Sequence, residues 1–211
     1  MIYEMRTYTL KAGTAGEAAK AAGEIGRVIR GDDYGKLEGY WISEIGALNQ
    51  VWHLWSYASF DERVRLRGEL GKNKRWVEEY VPLIRAKLVR QDIRLMTAAI
   101  PPKAPEKPGN IYEFRYYRLV PGTAGKWHQL LKDALPAREK ISKIVGAWTT
   151  DAGQPNEICH MWAYPSLNAR AEARAKAMQD PVWVNFIKDD LPLIEEMSNT
   201  ILLPAPHSPL K

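Results

Sequence analysis

The chain has 211 residues, of which 45% are hydrophobic and 26% charged, and these proportions are typical of a globular protein. The net charge of +5 is modest and mixed in sign along the chain, which argues against a nucleic-acid partner. No apolar run approaches the roughly 20 residues of a membrane-spanning helix, and no secretory leader follows Met1. We therefore expect no membrane insertion and a cytoplasmic location.

The single cysteine, Cys159, has no partner for an internal disulfide. Together with four scattered histidines it does not form the ligand spacing of a zinc site. No phosphate-binding loop or dinucleotide-binding glycine motif is present either. We therefore predict no metal and no cofactor.

The sequence contains an internal repeat. Residues 2–10 (IYEMRTYTL) recur with few changes at 111–119 (IYEFRYYRL), and the Gly-Thr-Ala-Gly turn at 13–16 recurs at 122–125. A proline-rich segment between the copies should be an extended spacer. The predicted organisation is a first unit at 1–99, a linker at 100–110 and a second unit at 111–211.

Each copy predicts the same order of elements: strand, helix, strand, strand, helix, strand. Alternating side chains predict the first strand, and apolar residues at helical spacing from Ala18 to Ile29 predict the helix after it. Ser59 and Glu62 form a capping box that opens the second helix, and Ser166 caps its counterpart. Short helices are expected around Trp76 and Trp183. The predicted strands are 2–10, 37–45, 49–57 and 88–96 in the first copy, and 111–119, 144–151, 156–164 and 197–203 in the second.

The βαββαβ order is that of an α+β, ferredoxin-like unit, in which both helices cover one face of an antiparallel sheet. The other face of each sheet is left uncovered, and two such units can bury these faces against each other. A pseudo-twofold dimeric α/β barrel with a central cavity, formed within one chain, is the expected result. The alternative is two independent units that each pair with another copy of the chain in a homo-oligomer.

The two-residue period of a strand assigns side chains to the two sheet faces, if the helix-covered face is assumed to be apolar. On this assumption Tyr3, Met5 and Thr7 face the helices, as do Trp52 and Leu54. A polar and aromatic set then faces the central cavity of the barrel. Its members are Glu4, Arg6, Tyr8, His53, Trp55 and Tyr57 in the first copy, and Glu113, Arg115, Tyr117, His160, Trp162 and Tyr164 in the second.

His53 and His160 are the candidate catalytic residues, because they are the only histidines that repeat and imidazole exchanges protons near neutral pH. A hydrogen-bonded core role is the alternative. The remaining members of the set are candidate ligand-binding residues. Glu4 and Arg6 lie two residues apart on one face and should form an ion pair, which either braces the sheets or leaves the arginine to hold an anion.

Two further features of the sequence have competing interpretations. Trp41, Trp148 and the two tryptophans of the polar set recur in matched positions, so they either shape a cavity for a flat apolar ligand or pack in the core. The basic stretch that includes Arg63 and Arg67 lies on a predicted helix and is interpreted as a solvated face.

Several segments resemble the NIPSNAP family, within the dimeric α/β-barrel superfamily: residues 2–10, Gly-x-Trp at 39–41, the run from Ile45 to Tyr57, and Leu-Pro-Ala-Pro at 203–206. The resemblance implies ferredoxin-like units paired into a barrel. NIPSNAP proteins have no settled activity, whereas neighbouring branches include cofactor-free monooxygenases, isomerases and lyases. The resulting hypothesis is an enzyme that acts on a small apolar or aromatic molecule in the barrel interior. The alternative is a non-catalytic ligand-binding or protein-interaction module.

Overall fold

The computed structural model describes all residues from 1 to 211. The strands are β1 (Ile2–Leu10), β2 (Lys36–Ile45), β3 (Gln50–Tyr57), β4 (Leu88–Ile100), β5 (Ile111–Leu119), β6 (Ile144–Ala152), β7 (Glu157–Tyr164) and β8 (Ile194–Pro204). The helices are α1 (Ala15–Ala21), α2 (Arg27–Arg30), α3 (Phe60–Leu70), α4 (Val81–Arg85), α5 (Ala124–Arg138), α6 (Leu167–Ala177) and α7 (Pro181–Asp190). Two π-helical turns, Ala22–Gly26 and Trp76–Tyr80, precede α2 and α4, and a 3-10 turn at Leu191–Leu193 follows α7. The predicted order of elements is therefore confirmed in both halves.

Local chemistry sets the ends of these elements. The hydroxyl of Ser59 accepts a hydrogen bond from the backbone N–H of Glu62 at 3.1 Å, and Ser166 caps α6 in the same way. Gly13 and Gly122 have φ values of +79° and +82°, a region that favours glycine, which explains why the Gly-Thr-Ala-Gly turn repeats.

All eight strands form one closed antiparallel barrel in the order β1-β3-β2-β8-β5-β7-β6-β4. The halves are joined reciprocally, because β2 of the first half pairs with β8 of the second and β4 pairs with β6. The pairing with β6 also explains why β4 continues to Ile100, beyond the predicted end at residue 96. The expected pseudo-twofold barrel of two ferredoxin-like units is thus confirmed.

The barrel interior is a packed apolar core, which corrects the predicted assignment of sheet faces. Tyr3, Met5, Trp52 and Leu54 were expected beneath the helices, but they meet residues of the other half, such as Phe114, inside the barrel. The polar set lies on the outer face of the sheet, beneath the helices. Its members Glu4, Arg6, Tyr8, His53, Trp55, Tyr57, Glu113, Arg115, Tyr117, His160, Trp162 and Tyr164 therefore do not line a central cavity.

The prediction failed because it assumed that only the helix-covered face must be apolar. In a closed barrel both faces are buried, so the need for burial does not indicate which of the two is the more apolar. The inward face is filled mainly by large apolar side chains, with the Arg94–Glu157 ion pair as a charged exception. The outward face carries charged groups that pair with one another beneath the helices.

Trp41 and Trp148 belong to this interior core and are fully buried, so they do not shape a ligand cavity. Their rings pass so close to the preceding glycines that a Cβ at Gly39 would lie 2.0 Å from Trp41, and one at Gly146 would lie 2.6 Å from Trp148. The repeated Gly-x-Trp motif is therefore a packing motif of the barrel.

Candidate functional site

Each half of the chain contains a cavity between the outer face of its sheet and its helices. The first cavity has a volume of about 330 Å³ and the second about 400 Å³. The polar and aromatic lining of the first cavity is Arg6, Tyr8, Arg27, Arg30, Tyr40, His53, Trp55, Arg67, Trp76, Tyr80, Arg85, Gln91 and His207. That of the second cavity is Glu113, Arg115, Tyr117, Trp127, Arg138, His160, Trp162, Tyr164, Arg174, Trp183, Phe186 and Asp190.

The predicted residues are thus gathered into two sites on opposite halves. All six members of the second half line the second cavity, and four of the first half line the first cavity. The other two, Glu4 and Tyr57, lie behind its wall, where they hold Arg6 and Arg30.

A buried carboxylate organises the wall of the first cavity. Glu4 is fully buried and accepts hydrogen bonds at 2.6 Å from both Arg6 and Arg63, with the hydroxyl of Tyr57 at 3.4 Å. The expected pairing of Glu4 with Arg6 is confirmed. Arg6 is held at its other nitrogens by the Tyr8 hydroxyl at 3.0 Å and by Gln91 at 3.3 Å, so its guanidinium is fixed at the cavity wall.

Glu113 has the same role in the second cavity. It accepts hydrogen bonds from Arg115 and Arg170, each at 2.6 Å, and from the Asn199 amide at 2.9 Å. Burial alone would raise the pKa of Glu113, but the Arg170 hydrogen bond and the Arg115 charge lower it to about 2. The carboxylate is therefore ionised at neutral pH and positions the arginines.

The basic helix α3 is only partly a solvated face. Arg65 is exposed and pairs with Glu69 on the same helix. Arg63, by contrast, turns inward to bind Glu4, and Arg67 lines the first cavity. The prediction of a solvated face is wrong for Arg63 and Arg67, because the helix places them over the sheet and its buried carboxylate.

Two buried arginines at the ends of the first helices escaped the sequence analysis. Arg30 and Arg138 are 4% and 3% exposed. The guanidinium of Arg30 lies 3.3 Å from the ring centroid of Trp55, and Arg138 lies 4.8 Å from that of Trp162. Nε of Arg30 and both Nε and Nη1 of Arg138 have no hydrogen-bond partner within the protein. Arg138 follows Arg30 by 108 residues. Matched residues of the two copies are 109 residues apart early in each copy, as Gly13 and Gly122 are, and 107 apart later, as His53 and His160 are, so this spacing could have identified the two arginines as a matched pair.

The histidines are fixed in one tautomer by their tryptophan neighbours. The indole N–H of Trp55 donates to Nδ1 of His53 at 2.6 Å, and Trp162 donates to Nδ1 of His160 at 2.8 Å. Because indole can only donate, Nδ1 must accept and the imidazole proton must lie on Nε2. Burial, reinforced by the charge of Arg6, holds the pKa of His53 well below its ordinary value.

This arrangement changes the chemistry expected of both histidines. A neutral imidazole whose Nδ1 is occupied and whose Nε2 carries the proton donates a hydrogen bond but does not accept a proton. Burial and the Arg115 charge likewise lower the pKa of His160. The geometry therefore favours a hydrogen-bond donor role for His53 and His160 over a general-base role.

The second cavity also holds a carboxylate without a salt bridge. Asp190 ends α7, is 5% exposed and accepts a hydrogen bond from the indole of Trp127 at 3.2 Å. Burial raises the pKa of Asp190 to about 6, against smaller opposing effects of the Trp127 hydrogen bond and the Arg115 charge. Such a group is a stronger base than an ordinary aspartate and is still ionised at neutral pH.

The first cavity has no such acid. Five arginines and no aspartate or glutamate line it. On the first helix, Ala18 and Ala22 occupy the positions at which the second half carries the much larger Trp127 and Leu131. The two cavities therefore offer different chemistry despite their common origin.

No helix is both long enough and apolar enough to cross a membrane. No set of three or more histidine, cysteine, aspartate or glutamate side chains is grouped as metal ligands would be.

The fold is shared with solved structures of low sequence identity. A Lactobacillus acidophilus protein, described as a candidate monooxygenase, superposes with a TM-score of 0.69 at 12% identity over 97% of this chain and 93% of its own. An anthrone oxidase-like protein gives 0.67 at 10% identity over 96% and 90%. These similarities concern the fold alone.

Sequence comparison assigns the family. Human NipSnap homolog 3B is 29% identical over 99% of this chain and 85% of its own length, and the mouse homolog 3B is 30% identical over the same shares. The NIPSNAP family profile matches residues 3–101 and again residues 112–209, which covers both halves. The chain is therefore a member of the NIPSNAP family with two tandem copies of its domain.

Proposed function

We propose that the second cavity is the active site of a small-molecule enzyme, in which Asp190 removes a proton from a flat, weakly acidic substrate. The observation that supports this most directly is a carboxylate with a raised pKa and no salt bridge, in a cavity that is also lined by Arg138, whose Nε and Nη1 have no protein partner. The site lies between sheet and helices, not in the barrel interior where the sequence analysis placed it.

Asp190 has the properties of a general base. At pH 7 to 8 it is ionised, and its raised pKa makes proton transfer to it more favourable than to an ordinary aspartate. The Trp127 hydrogen bond occupies one carboxylate oxygen and orients the group, which leaves the other oxygen for a substrate.

Removing a proton from a carbon next to a carbonyl moves an electron pair onto the carbonyl oxygen. The cavity offers donors for that oxygen. Among its lining side chains, Arg138 carries the donors Nε and Nη1 and His160 carries the donor Nε2, all of which are buried and have no partner in the protein. Donors already oriented before the reaction stabilise developing negative charge most effectively. His160 keeps its place as a candidate catalytic residue in this donor role.

The walls suit a flat aromatic substrate. Trp162, Trp183 and Phe186 line the cavity, with ring centroids 6.2 Å apart for the first pair and 4.7 Å for the second. Anthrone is a suitable probe, because it is flat and its methylene protons are acidic. Its oxidation balances with molecular oxygen as co-substrate: one anthrone and one O₂ give one anthraquinone and one water.

The test separates proton removal from oxidation. Anaerobic exchange of the anthrone methylene protons with D₂O is followed by NMR, and oxygen uptake is measured afterwards. We expect the wild-type chain to accelerate exchange and Asp190→Asn to lower the acceleration at least about 100-fold. Arg65→Gln, on the exposed side of α3, should behave as wild type.

Binding is followed separately through ¹³C-labelled methionine methyl groups, because Met178 and Met197 line only the second cavity. If anthrone or its analogues shift these signals but exchange is no faster than with Asp190→Asn, the enzyme hypothesis fails. The second cavity is then a non-catalytic site for an apolar or aromatic molecule.

A further inference from the structure

The first cavity has an unusual charge balance. Its wall includes Arg6, Arg27, Arg30, Arg67 and Arg85 and no acidic side chain. Glu4 behind the wall supplies one negative charge to a group of arginines, and Asp32 compensates Arg27 at the rim. The remaining positive charge faces a partly desolvated space, where an anion would be attracted more strongly than at an open surface.

Arg30 is the most constrained of these groups. Its Nη2 donates to the Tyr34 carbonyl at 2.7 Å and to the Tyr57 hydroxyl at 2.9 Å, but no carboxylate pairs with it. Its Nε is buried and has no partner. Burying a cation with unsatisfied donors is costly, and a bound anion would offset that cost.

The other groups around the cavity suit an oxyanion attached to a flat body. His53 lines the cavity and carries its proton on Nε2, because Trp55 occupies Nδ1, and no side chain of the protein accepts this proton. Tyr40 stacks on His53 with a centroid separation of 5.2 Å, and Tyr80 lines the same space. Neutral donors and aromatic faces bind the oxygen atoms and the ring of such a ligand, respectively.

We infer that the first cavity is a second, separate ligand site, which binds a flat aromatic molecule carrying a carboxylate or phosphate group through Arg30, Arg67 and His53. The inference does not depend on the reaction proposed for the second cavity. Because no carboxylate lines the first cavity, it has no counterpart of Asp190 and would bind its ligand without proton abstraction.

The probes are 2-naphthoate, 2-naphthyl phosphate and the neutral 2-naphthalenemethanol, titrated into the full chain by calorimetry. Histidine labelled with ¹³C and ¹⁵N reports the place of binding. His53 and His207 line the first cavity, and His160 lines the second. We expect both anions to shift the His53 and His207 signals and to leave those of His160 and of the second-cavity methionines in place.

The variants form a matched pair on one helix. Arg67→Gln should weaken binding of both anions about tenfold, the size expected for losing one hydrogen bond to a charged group. Arg65→Gln lowers the net charge equally, but its side chain points to solvent, so binding should stay within about twofold. Circular dichroism and urea unfolding verify that Arg67→Gln remains folded, and Arg85→Gln is a second cavity variant if it does not.

Tighter binding of the phosphate than of the carboxylate would identify a phosphate ester as the ligand class, and the reverse order would identify a carboxylic acid. The inference is overturned if the neutral alcohol binds as tightly as the anions. It is also overturned if the anions shift His160 and the methionines instead of His53, or if Arg67→Gln and Arg65→Gln have the same effect. Asp190→Asn should leave these affinities unchanged, so this result and that of the enzyme test are independent.

Discussion

Replacing Asp190 by asparagine should make the protein more stable at neutral pH. The new amide would keep an oxygen for the Trp127 indole and would remove a charge that is buried without a salt bridge. The pKa of Asp190 is about 6 in the folded protein, against 3.8 ordinarily, so the folded state binds a proton more tightly than the unfolded state. Ionisation of this group therefore has almost no effect on stability below about pH 4, opposes folding increasingly between about pH 4 and 6, and has its full destabilising effect above that range.

The size of this effect on stability follows from the folded pKa of about 6 and the ordinary pKa of 3.8. Since one pKa unit is worth about 1.4 kcal/mol, the free energy of unfolding falls by up to about 3 kcal/mol at pH 7.5 and by only about 0.5 kcal/mol at pH 4. Arg115 is the charged group that faces Asp190, and its attraction is already included in the value of about 6. The free energy of unfolding of the Asp190→Asn variant should thus be higher than that of the wild type by up to about 3 kcal/mol at pH 7.5 and by almost nothing at pH 4. Solvent screening at the cavity reduces the value at pH 7.5.

Urea unfolding of both proteins, followed by circular dichroism at the two pH values, measures this difference. Glu113→Gln is the matched comparison with the opposite sign. The pKa of Glu113 is lowered to about 2, so its ionisation stabilises the fold above about pH 4.5 and this contribution is lost as the pH falls towards 2. Glu113→Gln should lose up to about 3 kcal/mol at pH 7.5. An Asp190→Asn variant that is equally destabilised at both pH values would refute the reasoning, because the carboxylate would then be a net stabilising group.

Three further predictions concern other parts of the molecule. Trp55→Phe removes the donor to Nδ1 of His53, so ¹⁵N NMR should show a mixture of the two neutral tautomers in place of the single Nε2–H form; an unchanged spectrum would mean that another group fixes the ring. Gly39→Ala should cost about 1–3 kcal/mol in urea unfolding, because its Cβ would overlap the Trp41 ring, whereas Gly16→Ala meets no atom within 4 Å and should be neutral or slightly stabilising. Equal effects of the two substitutions would contradict the packing explanation. Cys159 is fully buried and burial raises its thiol pKa, so it should react with a thiol reagent at pH 8 only after unfolding; rapid reaction of the native protein would show that the barrel interior opens.

The order of the elements could be predicted because each depends on local pattern. Alternation in residues 2–10, helical spacing after Gly13 and the Ser59 cap each act within a few residues, and the repeat confirmed each of them twice. The closed barrel followed from the need to bury one face of each sheet.

The orientation of the faces could not be predicted by the same reasoning. In β1, Met5 and Arg6 are both buried, Met5 in the apolar core and Arg6 in an ion pair with Glu4 beneath the helices. The alternation in the sequence shows that one face is apolar and the other polar, but not which of the two faces the barrel interior. That depends on where α3 places the arginine that pairs with the buried Glu4, and this is a tertiary contact.

The candidate residues were found where the copies match and missed where they do not. His53 and His160 align at one offset and were noticed, whereas Arg30 and Arg138 fall where the offset changes. Asp190 has no acidic counterpart in the lining of the first cavity, so comparing the two copies did not identify it. A repeat identifies residues that the two copies share and not those in which they differ.

The reciprocal pairing of β2 with β8 and of β4 with β6 has an evolutionary consequence. In a barrel made from two identical chains, each substitution appears at both sites, so a buried acid that suits one cavity is imposed on the other. In a fused chain each half mutates alone, while the shared sheet keeps them together at any concentration. Each cavity can therefore change without imposing the same change on the other, and the two linings already differ: Asp190 lines the second cavity, whereas no acidic side chain lines the first.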